Sequence, residues 1–106
     1  MDENTQDFIG SAFGPSYINE PEVLKANLVH SLSAPGIFTK TRKAQRDGFA
    51  EVIRNREMSL TDWDIITEGV IRFPTEDEMY AFLQASYDYF FGDAPEPPDY
   101  PESDEG

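Results

Sequence analysis

Asp64 and Glu68 stand four residues apart, with Glu57 and Asp62 close by, and on a helix that spacing puts the first two carboxylates on one face. Paired carboxylates can share acid and base roles or hold a hard cation. The chain carries none of the companions that either chemistry needs. There is no calcium-loop pattern and no Glu-x-x-His, and cysteine is absent, which removes thiolate metal sites and disulfides. His30 is the only histidine. A Ser-His-Asp relay would have to recruit Ser31, Ser33 or another serine without any nucleophile motif. The simpler reading is a surface or partly buried histidine on a helix. Gly10, Gly14 and Gly36 fall in turns rather than in a phosphate-binding glycine pattern. The acids therefore read as a solvated face, and the expectation is a non-enzyme with no catalytic residues, no metal site and no cofactor.

That face belongs to a strongly charged molecule. Twenty-one acids against eight bases give a net charge of −13 over 106 residues. The distribution is uneven. Residues 25–56 hold seven bases and two acids, whereas residues 57–106 hold fourteen acids and one base, Arg72. A field of one sign over half a protein repels nucleic acid and anionic membrane and draws in a cationic protein. The basic segment Lys40-Thr41-Arg42-Lys43-Ala44-Gln45-Arg46 is the one stretch suited to phosphates. Its expected role is a solvated helix face paired internally with acids of the C-terminal half. The N-terminal residues lack the basic and apolar regions of a secretory leader, and no apolar run approaches membrane-spanning length, so a cytoplasmic location is expected.

The elements that position these charges are helical. Thr75-Glu76-Asp77-Glu78 is a capping-box pattern, followed by Met79, Phe82, Leu83, Ser86 and Phe90 at helical spacing. Tyr80, Tyr87 and Phe91 form a stripe beside that face, and Gly92 suits the position just past the helix end. Ser59 is a second candidate N-cap, with Met58 and Trp63 placed as a hydrophobic staple; Trp63, Ile66 and Val70 share a face, Gly69 is expected to end the helix early, and Val70-Ile71-Arg72-Phe73 reads as a short extended connector before Pro74. Asn19-Glu20-Pro21 marks another start, with Leu24, Leu28 and Leu32 following at intervals of four. Residues 38–57 read as a basic helix with Phe49, Val52 and Ile53 inward, although Gly48 in its middle costs about 1 kcal/mol relative to Ala. Phe8, Ile9, Ala12 and Phe13 define a first helix stopping at Gly14-Pro15. With no alternating pattern or hairpin signal, the prediction is an all-α bundle of about five helices in a single domain, residues 1–92. Residues 93–106, rich in proline and acid, are expected to form a disordered tail.

Tyrosines beside acids are suited to protein contact, because Tyr is enriched in interface cores and flanking carboxylates match Arg or Lys across the interface. The candidate partner-binding residues are accordingly Asp62, Asp64, Glu68, Glu76, Asp77, Tyr80, Tyr87, Asp88 and Tyr89. For Tyr87, core and interface roles weigh equally.

The stretch Leu60-Thr-Asp-Trp-Asp-Ile-Ile-Thr67, with the ending Phe82-Leu-Gln-Ala-Ser-Tyr-Asp-Tyr-Phe-Phe-Gly92, resembles small bacterial immunity proteins of contact-dependent growth inhibition and related polymorphic toxin systems. The resemblance covers residues 60–92. It implies a protein that binds a cognate toxin domain, often a nuclease, and neutralises it in the cytoplasm. An acidic surface could then occupy a basic nuclease cleft as a phosphate mimic. Two other readings share parts of this logic. One is a nucleic-acid mimic directed at a DNA-handling defence enzyme, for which the bases at 25–56 interrupt the acidic stripe. The other is an adaptor recruited through its acidic tail. Oligomeric state is not legible.

Overall fold

The computed structural model describes residues 2–14, 20–33 and 37–98. It contains five α-helices and, among the described residues, no strand: α1 (Glu3–Phe13), α2 (Pro21–Ser33), α3 (Ile37–Asn55), α4 (Leu60–Thr67) and α5 (Glu76–Phe91). The all-α expectation holds. Helix α1 packs on α3 and α4, α3 also packs on α2 and α5, and α2 packs on α5.

The core is aromatic, and α1 delivers its centre. The Phe13 ring lies 5.4 Å from Trp63 of α4, 5.5 Å from Phe82 and 6.3 Å from Phe90 of α5, and 6.1 Å from Phe49 of α3. Phe8, five residues earlier, meets Phe49 at 5.4 Å and Phe91 at 5.6 Å. Most of these rings meet tilted or edge-on, the arrangement that their quadrupoles favour. Ile9, Leu24, Leu28, Val52, Met58, Met79 and Leu83 are buried with them.

The helix ends explain the boundaries. Asp2 caps α1 by accepting a hydrogen bond from the Thr5 amide at 2.8 Å. Thr75 caps α5 through the Glu78 amide. The reciprocal capping box forms at Ser59 instead, where Asp62 accepts from the Ser59 amide at 3.1 Å and the Ser59 hydroxyl accepts from that of Asp62. Helix α3 stops two residues short of the expected end because Arg56 adopts a left-handed conformation. The Glu57 amide then closes back on the Val52 carbonyl at 3.2 Å, a Schellman-type bond. The expected cap at Asn19 lies outside the described residues; α2 begins at Pro21, with the Glu20 carbonyl accepting from Val23.

Two glycines are set by close approach. A Cβ on Gly48 would lie 1.9 Å from the Thr5 hydroxyl oxygen of α1, so the residue that weakens α3 is what lets the two helices meet. Gly92 has a φ of −117° rather than a left-handed value; a Cβ there would stand 2.8 Å from the Asp88 carbonyl.

Three expectations need correcting. Val70 does not continue the Trp63 face: it is exposed, and Ile71 is buried in its place. The helix has ended at Thr67, and the connector that follows turns the next side chain inward. Second, Lys40–Arg46 does not pair with C-terminal acids in the described contacts: Arg42 donates to Gln45 and Asn27, and Arg46 pairs with Asp47. Arg56 makes the link to α5 instead, through Asp77 at 2.7 Å. Third, the chain stays packed beyond Gly92. Ala94 lies against the core, its amide donating to the Asp88 carbonyl at 3.1 Å. Pro97 and Pro98 then close a small apolar cavity with Phe13, Phe82 and Phe90. Residues 99–106 of the expected tail lie outside the described residues.

Candidate functional site

The residues singled out for partner contact divide among separate places. Tyr80 and Tyr89 leave the surface altogether, each 4% exposed. The Tyr80 hydroxyl donates to the Met58 carbonyl at 2.6 Å and accepts from the Met58 amide at 2.9 Å. It thereby pairs the backbone groups of the α3–α4 connector, and Arg56 lies over its ring at 5.1 Å. Burial pushes the Tyr80 and Tyr89 phenols above their ordinary value of 10.0, with Glu76 and Glu22 respectively adding to the shift. Both are structural residues, not partner contacts. Tyr89 carries a second device: the Lys25 ammonium of α2 sits 4.3 Å from its ring centroid and donates to its carbonyl at 2.7 Å. No basic residue lies in the last turn of α5, so α2 supplies the cation that complements that end of the helix dipole.

Tyr87 is half-buried, packed against Phe49 at 6.0 Å and Phe91 at 5.3 Å. It lines a groove with Ala50, Ile53, Arg54 and Gln84. Asp88 is exposed and accepts from Gln84. Asp77, eleven residues earlier, is about 16 Å away along the helix at 1.5 Å per residue. Glu76 and Asp77 are exposed in the first turn of α5, with Asp77 bound to Arg56. The acids of α5 therefore stand at opposite ends of the helix.

The acids of α4 have a different neighbour. Helix α4 packs on α1, and a cleft between them is lined by Gln6, Asp7, Gly10, Ser11, Ile65, Ile66 and Glu68. Both ionisable side chains in this lining are carboxylates. Asp62 is exposed and Asp64 half-buried on the same helix. The sequence reading missed Asp7 and Ile65. Asp7 could have been found from its outward position between Phe8 and the N-cap on the first amphipathic helix. Ile65 follows the helical pattern only as an exception, 71% exposed where the neighbouring Trp63 is fully buried.

Among the described residues no three His, Cys, Asp or Glu side chains converge in a geometry that could hold a metal ion. His30 is exposed on α2; the hydroxyls of Ser31 and Ser33 are bonded to Asn27 and to the Val29 carbonyl. No helix among the described residues is long and apolar enough to cross a membrane.

The class that these features define is a small all-helical domain with an aromatic core. The chain matches no protein-family model, no curated protein and no solved structure.

Proposed function

We propose that this chain is a stoichiometric protein inhibitor, an immunity protein of the kind found in polymorphic toxin systems, that binds a basic toxin domain in the cytoplasm. A nuclease is the toxin chemistry that the charge favours, since a cleft built for phosphates is basic. The observation that carries the reading is the α1–α4 cleft, where Asp7 and Glu68 are the ionisable side chains of a lining with no basic residue, on a chain of net charge −13. Such a field speeds association with a cation and sets its orientation. A nucleic-acid mimic is less well supported, because the acids of α5 are spaced apart and one of them is neutralised by Arg56.

The test is co-expression with the C-terminal domain encoded by the open reading frame immediately upstream. Growth rescue with 1:1 co-purification is the expected result, with an association rate that falls as salt rises. Reversal of Asp7, Asp64 and Glu68 should slow association more than reversal of Lys40, Arg42 and Lys43. A toxic domain that is not rescued, or a harmless one, would remove the inhibitor reading.

A further inference from the structure

Resting on the inhibitor reading, we propose that the α1–α4 cleft receives a basic segment of the partner and that Ile65 is its apolar anchor. The occupant is a short stretch presenting one aliphatic or aromatic side chain flanked by Lys or Arg.

Exposure and charge together carry this. Ile65 is 71% exposed, more than Val29 at 52% or Val23 at 51%. On α4 its helical neighbours at three residues' distance are Asp62 and Glu68, both exposed, so a large aliphatic group stands between carboxylates. Asp7 faces the same cleft from α1. The space beside it exists because position 10 has no side chain: a Cβ on Gly10 would already stand 3.1 Å from the Ile66 carbonyl, and a longer group would fill the floor. An apolar centre with a charged rim is the anatomy of an energetic contact, in which the centre holds the complex and the rim excludes water. Rim charge acts chiefly on the association rate, while contacts desolvated at the centre act on dissociation. Charge complementarity selects the occupant. A second copy of a chain with net charge −13 would meet repulsion, whereas a cationic segment is attracted. The other exposed large aliphatics, Val23, Val29 and Val70, are each less exposed and line no cleft with Asp7 and Glu68.

The experiment uses the full ¹⁵N-labelled chain and two synthetic probe peptides, Lys-Arg-Leu-Arg-Lys and Lys-Arg-Ser-Arg-Lys. Amide shifts on titration should concentrate at residues 6–11 and 64–69. The leucine peptide should bind about tenfold more tightly than the serine peptide, the worth of one buried aliphatic side chain. Ile65→Ser should abolish that difference while leaving the unfolding midpoint and the weak binding of the serine peptide in place. Asp7→Asn with Glu68→Gln should weaken both peptides alike and flatten their salt dependence. Shifts centred on α3 or on the first turn of α5, or equal affinity for the two peptides, would overturn the proposal. The inhibitor reading is decided separately by growth rescue. Rescue retained by Ile65→Ser at wild-type dissociation rate would sink the anchor and leave the inhibitor standing.

Discussion

Replacing Gly48 with alanine sets two physical effects against each other. Helix propensity alone favours the change by about 1 kcal/mol, because alanine restricts the unfolded chain and glycine in a helix interior does not. Packing opposes it. The new Cβ would fall 1.9 Å from the Thr5 hydroxyl oxygen and 3.2 Å from Thr5 Cβ. Thr5 is 1% exposed, so its β-branched side chain has little room to turn, and its Cβ stays close to position 48 in every rotamer. Relief therefore requires α1 and α3 to separate, which disturbs the contact between Phe8 and Phe49. Overpacking of this kind costs ~1–3 kcal/mol, and an overlap this deep belongs at the upper end. After the propensity gain, Gly48→Ala should destabilise the fold by about 2 kcal/mol. Thr5→Ala removes the clashing branch, so it should recover most of the loss in the double variant. Urea denaturation of the four proteins, analysed as a double-mutant cycle, measures the coupling. A stabilised Gly48→Ala, or a cycle with no coupling, would refute the close crossing of α1 and α3.

Tyr80→Phe leaves the Met58 amide and carbonyl without their buried partner and should cost ~1–3 kcal/mol in urea unfolding. Because burial raises the Tyr80 and Tyr89 phenols above 10.0, the unfolded chain releases those protons first. Stability is thus full below about pH 10 and should fall as pH rises beyond it, and the fall should shrink in Tyr80→Phe. Glu68 closes α4 in a left-handed conformation, φ 60°, so Glu68→Gly should stabilise the fold by about 1 kcal/mol while slowing association with the proposed basic partner. A variant that gains stability and loses no association rate would detach Glu68 from the interface. Lys25→Met removes the ammonium that binds the Tyr89 carbonyl at 2.7 Å and should cost ~1–2 kcal/mol, with amide exchange quickening at Ala94 before it does in the core.

Much of the fold was legible because helix starts are local events. Thr75 and Ser59 were readable as caps from the order of side chains over four residues, and the buried face of α5 from its spacing alone. Helix ends were read less well. Arg56 and Glu68 take left-handed conformations that sequence assigns to glycine, and at residue 68 the expected terminator, Gly69, is only one residue further on. The two tyrosines failed for a different reason. Tyr80 and Tyr89 lie on either side of the clear apolar stripe, and whether such a flank is covered depends on the helix that lands there. Met58 and Lys25, distant in sequence, are what take them inside.

The number of helices, their apolar faces, the absence of cysteine chemistry and the sign of the molecule's field all follow from residue type and short-range spacing. Which carboxylates act together was decided only by tertiary structure. Asp64 and Glu68 share one helix face by spacing, yet the carboxylate that lines the cleft with Glu68 is Asp7, more than fifty residues earlier in the chain. That neighbour is fixed by α1 packing on α4 around Phe13 and Trp63. The same packing leaves Ile65 outward among acids, because an eight-residue helix can turn only one side to the core, and Trp63 and Thr67 occupy it.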